Sequence, residues 1–181
     1  MNARGSGWPP GRVGAALEDL AGAGRVGRVP TDRDYAVAML ERVTESDLRL
    51  ALLAARLGDW TKANTLTYDA ARKSVEALLL AAGWRVRSVH GGHAAVGEVV
   101  DGWLREAPGD GPRIAARFAG SRKARHADEY PHPQAPARTD EELRDFALDN
   151  VRLVNLCRLE LGLPERAEML PTDANLEAVS L

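Results

Sequence analysis

Cysteine is nearly absent: Cys157 is the only one in 181 residues. A single thiol excludes an intrachain disulfide and a thiolate metal cluster. Aromatic residues are scarce, at 5%. The core must therefore be built mostly from Ala, Leu and Val, which suits closely packed helices. Long apolar runs are missing too. "LALLAA" (50–55) and "ALLLAA" (77–82) fall far short of the ~20 residues that cross a bilayer, and no secretory leader opens the chain. The expectation is a soluble, cytoplasmic protein. No charge sign dominates, since the net charge is −2. Any role with nucleic acid has to rest on a local patch. Neither a phosphate-binding glycine loop, nor a Gly-x-Ser-x-Gly elbow, nor a His-Glu-x-x-His helix is present. His90 and His93 lie three residues apart with no carboxylate near enough in sequence to complete a zinc site. Neither a metal nor a cofactor is expected.

What is present is helical periodicity. Residues 1–30 are rich in glycine and proline and read as a flexible arm, with at most one helical turn around Leu17 to Leu20. From Thr31 the pattern changes, with Thr31 or Asp32 as a cap. "TESDLRLALLAARLG" then restarts or continues the helix, with Thr44 or Ser46 as a cap oxygen and Leu48, Leu52, Ala55 and Leu57 as its apolar face. The strongest helix spans 59–83, from Asp59 as cap to Gly83 as a left-handed stop. Its alanine-rich surface is wide enough to be buried on more than one side. Within it, Arg72, Lys73 and Glu76 read as solvated helix pairs. Residues 84–93 read as a connection. Helices follow over 94–107, 113–130 and 139–162. The last opens on a capping box of Thr139 and Glu142 and closes at Gly162 and Pro164. Cys157 lies on its apolar stripe and reads as packing. With no strand alternation and no repeat, the expected fold is all-α. It is an up-and-down bundle of four to six helices over 31–162, with a loosely docked tail at 163–181.

One stretch concentrates the chemistry: "SRKARHADEYPHP", 121–133. On a helix Arg122, Arg125, His126 and Glu129 share a face. Such a stripe suits a solvated helix end that stops at Pro131. It also suits RNA, because guanidinium groups bind phosphate bidentately and histidine exchanges a proton near neutral pH.

The order of features resembles the HEPN family of all-helical proteins, which includes RNA-cleaving toxins and defence effectors. "LLAARLGDWTKANTLTYDAARKSVEALLLAAGWRVRS" is similar to its first two helices. "HGGHAAVGEVVDGWL" is similar to its His-led third helix, and "SRKARHADEYP" to its signature of an arginine, a polar residue and a later histidine or tyrosine. The resemblance covers about residues 45–162. It implies that Arg125 holds phosphate and stabilises the transition state, that His126 exchanges protons, and that Tyr130 donates a hydrogen bond. Tyr130 stands where catalytic members usually carry histidine, and an unperturbed phenol titrates near ~10. His132 sits at the longer gap that some members use. Arg122, Lys123 and His132 would contact RNA. The resemblance further implies a homodimer with both signatures in one cleft, metal-independent RNA cleavage, and a nucleotidyltransferase-like antitoxin as partner. The other class of function open to this sequence is a non-catalytic helical adaptor whose dimer face binds protein.

Overall fold

The computed structural model describes residues 8–87, 92–129 and 138–179. Within them the chain is an all-α helical bundle with one small two-stranded ribbon. The helices are α1 (Gly11–Gly22), α2 (Arg33–Val43), α3 (Arg49–Arg56), α4 (Trp60–Ala81), α5 (Gly92–Leu104), α6 (Gly111–Glu129), α7 (Asp140–Glu160) and α8 (Asp173–Ala178). Six of them, α2 to α7, fall within 31–162, in line with the four to six expected there; α1 and α8 come from outside that range.

The caps work locally. Asp32 Oδ1 accepts from Tyr35 N at 2.9 Å, and Asp59 Oδ1 accepts from Lys62 N at 2.9 Å. Thr139 and Glu142 form the capping box in both directions. Gly83 and Gly162 end α4 and α7 at φ 79° and 73°, where a β-carbon is strained. Gly83 is required twice over. Its carbonyl accepts from Val29 N, and an added Cβ would meet Val29 O at 3.1 Å.

Helix α4 lies at the centre. Ala63, Ala70, Ala71 and Ala77 are all buried, and they let neighbouring helices approach closely on several sides. Its largest partner is α7; α2, α3, α5 and α6 pack around the remainder. The wide alanine-rich surface read from the sequence is therefore a central helix. Cys157 is fully buried in this core, and burial raises its thiol pKa, so it packs and does not ionise.

Three sequence expectations change. The glycine-rich arm over 1–30 does not stay loose where it is described. Val13, Leu17 and Leu20 recur at helical steps, are buried, and seat α1 on α5. Trp8 meets Trp103 edge to face, with centroids 6.0 Å apart. The burial of these side chains offsets the entropy that the glycines cost. Second, strand β1 (Val26–Arg28) pairs antiparallel with β2 (Trp84–Val86), in the register Val26↔Val86 and Arg28↔Trp84. Three residues are too few to show alternation in a sequence. Here the Arg28 guanidinium lies 3.7 Å from the centroid of the Trp84 ring and reinforces the pair. Third, Leu57 leaves the apolar face read for it and is 66% exposed, and at Thr44 and Ser46 the helix continues instead of restarting. A π-turn over Thr44–Leu48 carries α2 into α3, and both hydroxyls donate back to carbonyls four residues earlier, at 2.9 Å. The 163–181 tail docks through Met169 and Leu176, which are buried, as far as residue 179.

The π-turn has a partner. Arg158 of α7 is almost fully buried. It donates to Pro164 O at 2.7 Å, Thr44 Oγ1 at 3.1 Å and Glu41 Oε1 at 3.0 Å. One guanidinium thus ties α2, α7 and the tail. Arg158→Ala removes every one of these donors and leaves a hole, so it should lower unfolding free energy by on the order of 3 kcal/mol in urea titrations. Arg158→Met, which refills much of the volume, should lose less.

Candidate functional site

The site is built on a buried polar lattice. Asn64 of α4, Ser121 of α6 and Asn150 of α7 are each fully buried. Ser121 Oγ donates to Asn64 Oδ1 at 2.7 Å. Asn150 Nδ2 donates to Ser121 Oγ at 2.9 Å and to Thr67 Oγ1 at 3.3 Å. Asn64 Nδ2 and Asn150 Oδ1 find no partner among the described residues, but the three bonds that do form favour one register of α6 against α4 and α7.

One turn further along both helices, the chemistry emerges. Tyr68 of α4 is buried and stacks on Phe118 of α6, with centroids 5.1 Å apart. Its hydroxyl shares a 3.2 Å hydrogen bond with His93 Nδ1, from the first turn of α5. The Arg125 guanidinium carbon is 5.7 Å from the Tyr68 ring centroid. Asp69 sits between two cations, with Arg125 Nη2 at 3.6 Å and Arg72 Nε at 3.7 Å. Both contacts are ion pairs longer than hydrogen bonds. Arg72 also reaches Glu76 at 2.7 Å, and Lys73 turns the other way, to Asp47 at 2.6 Å. The helix pairs read from sequence over 72–76 are thus split between two faces.

The electrostatics follow. Burial pushes the Tyr68 phenol up to about 12, against the pull of the Arg72, Arg122 and Arg125 guanidiniums. The phenol therefore keeps its proton at neutral pH. Burial on its inner side, then the Arg72 and Arg125 charges, lower the pKa of His93. His93 is accordingly neutral at pH 7, and an imidazole in that state accepts protons. The Arg72 and Arg125 guanidiniums thus act on both members of a neutral phenol–imidazole pair, and Arg122 acts on the phenol.

Charge along α6 is divided by α7. In the first half of α6, Arg113 and Arg117 reach Asp149 at 3.3 and 3.1 Å, and Arg117 also pairs with Asp145. The Asp149 carboxylate is wholly buried and accepts from Arg152 at 2.7 Å as well. In the second half no α7 carboxylate is met. Arg122 is half-buried, Lys123 is exposed, and neither forms an ion pair among the described residues.

Arg122 and Arg125, two of the six residues singled out from the sequence, therefore sit in this cluster. Lys123 and His126 are exposed on the same helix. Tyr130 and His132 lie outside the described residues, as does His90. Tyr68, Asp69, Arg72 and His93 were not chosen from the sequence. The spacing of Tyr68, Asp69 and Arg72 hinted at one face of α4, and His93 opened a helix. Only packing joins them to Arg125. Comparison with protein-family models, with curated proteins and with solved structures returns no match for this chain. Among the described residues no helix is long and apolar enough to cross a membrane.

The phenol gives a direct test. An unfolded tyrosine ionises near ~10, whereas folded Tyr68 ionises near 12. The unfolded chain loses its proton first, so Tyr68 contributes full stability below pH ~10 and loses it as pH rises toward ~12. Tyr68→Phe should remove this part of the alkaline loss, on the order of 2–3 kcal/mol, in urea unfolding curves of both proteins from pH ~8 to ~12.

Proposed function

We propose that the chain is a HEPN-type RNA-binding protein whose α4–α5–α6 face holds the phosphate backbone of single-stranded RNA. The carrying observation is the convergence of Arg72, Arg122 and Arg125 on the Tyr68–His93 pair. Guanidiniums supply bidentate donors to phosphate oxygens, and their charge makes affinity depend on salt. The buried phenol touches no RNA itself and instead holds His93 through their shared hydrogen bond.

This cluster, together with exposed His126 on the helix that carries Arg125, would supply what metal-independent cleavage requires. A base takes the 2'-hydroxyl proton, an acid protonates the leaving 5'-oxygen, and a cation stabilises the phosphorane. His93, neutral and accepting, suits the first role. Exposed His126 on α6 suits the second, and Arg125 with Arg122 the third. A homodimer that joins two such faces would double the cations along one groove. The metal-free chemistry and the dimer rest on the family resemblance together with this cluster.

One observation favours the adaptor reading instead. Arg125 is only 21% exposed and is ion-paired with Asp69, so part of its charge is spent holding α6 to α4. In that reading the face binds protein, and RNA is neither held nor cut.

The decisive measurement is anisotropy of labelled single-stranded RNA between about 50 and about 200 mM salt, with chelator present. RNA binding predicts a steep linear fall of log K with log salt. Arg122→Ala should weaken binding for all sequences alike and reduce that slope by about 0.7, one phosphate contact on a single strand. Cleavage in the same mixture should vanish in His93→Ala and His126→Ala while binding persists. A protein that shows neither salt-dependent binding nor cleavage is the adaptor.

A further inference from the structure

Arg72 and His93 have a second surface. With strand β2, the segment that follows β1, the start of α2 and the second half of α4, they line a cleft of ≈ 990 Å³. That is the upper end of the range for small-molecule sites and ample for one nucleotide. Met39 and Leu80 contribute apolar wall. Tyr35 stands at the cleft with 57% of its surface exposed. It is the one aromatic among the large apolar side chains that the described residues leave exposed.

The polar lining is unbalanced. Its carboxylates are both engaged, Asp32 as the cap of α2 and Glu76 by Arg72 at 2.7 Å. Arg85 and Arg87 are exposed and form no ion pair among the described residues. This contrasts with Arg28 on the facing strand, which is paired with Glu18 at 2.6 Å. The Arg87 guanidinium lies against the ribbon itself. A Cβ on Gly27 would come within 3.0 Å of its Nε. Glycine at that position lets the cation rest on the backbone and stay at the cleft.

An exposed aromatic ring, an apolar wall and two uncompensated guanidiniums suit a planar ring that carries negative charge at its edge. Unpaired nucleotides have that chemistry. Proteins hold them by stacking the base on an aromatic ring while cations take the phosphates. We propose that this cleft takes one unpaired base of the RNA strand, stacked on Tyr35, with the flanking phosphates on Arg85 and Arg87. This rests on the RNA reading of the adjoining Arg72–Arg122–Arg125 face, and Arg72 and His93 form the boundary between the two. The strand would then run from the phosphate face into the cleft without leaving the cationic surface.

The test compares Tyr35→Ala, Tyr35→Phe and Arg122→Ala with the wild type. The probes are a single-stranded RNA and an abasic strand of equal length, read by anisotropy at one salt concentration. Tyr35 is exposed, and the α2 cap uses its backbone N–H, so Tyr35→Ala should unfold at the wild-type temperature; this is checked first. Expected is a loss of RNA affinity of roughly five- to a hundred-fold in Tyr35→Ala. Tyr35→Phe should bind as the wild type does, and abasic-strand binding should be unchanged in all the Tyr35 variants. Equal losses on both probes, or no loss on RNA, overturn the base cleft. If Arg122→Ala is still weakened in those cases, the phosphate face stands without it. If the wild type binds neither strand, the phosphate face and the cleft fall together.

Discussion

A hydrogen-bonded lattice inside the bundle sets everything that follows. Asn64, Thr67, Ser121 and Asn150 have no water to turn to, so each must find another. Apolar side chains alone would tolerate α6 sliding or rotating against α4, because alanine-rich faces pack in several registers. The amide and hydroxyl groups do not, since a shift of one residue would break the three bonds they make. That constraint reaches the surface. With Ser121 held on Asn64, the next turn of α6 brings Arg125 over Tyr68 and beside Asp69.

A second constraint is electrostatic. The chain carries 24 Lys and Arg residues against 26 Asp and Glu, so surplus cation must be created locally. The fold does this by spending carboxylates unevenly. Asp110, Asp145 and buried Asp149 together take up Arg113, Arg117 and Arg152, which neutralises one end of α6. Arg122 and Lys123 at the other end, and Arg85 and Arg87 on the ribbon, meet no carboxylate among the described residues. The proposed RNA face and its cleft lie where that compensation stops. A nearly neutral chain can present a cationic surface this way, and its affinity for phosphate would be governed by a handful of guanidiniums.

Local chemistry was legible in the residues. Asp59, Asp32, the Thr139–Glu142 box, Gly83 and Gly162 bound their helices as read, because a cap needs only partners within one turn. The all-α class followed from three- and four-residue apolar steps. The ordering of the first thirty residues did not follow. Glycine lowers helix propensity, and the compensating burial of Val13, Leu17 and Leu20 depends on α5, some eighty residues later. The β1–β2 ribbon was hidden for the same reason: its halves are far apart in sequence and too short to alternate. At Thr44, the hydroxyl looked like a cap, yet buried Arg158 recruits it from the other end of the chain.

The sequence by itself determined that the helices between residues 31 and 162 form, where most of them stop, and that Arg122 and Arg125 share a stripe, since each of these depends on neighbours within a turn or two. Tertiary structure alone decided which charges survive. It gave Arg113 and Arg117 to Asp149, placed Arg125 between Asp69 and Tyr68, and brought His93 from α5 onto the phenol. Those outcomes depend on which helix faces which, and that is settled by the pairing of buried polar groups across three separate helices. No local pattern encodes it.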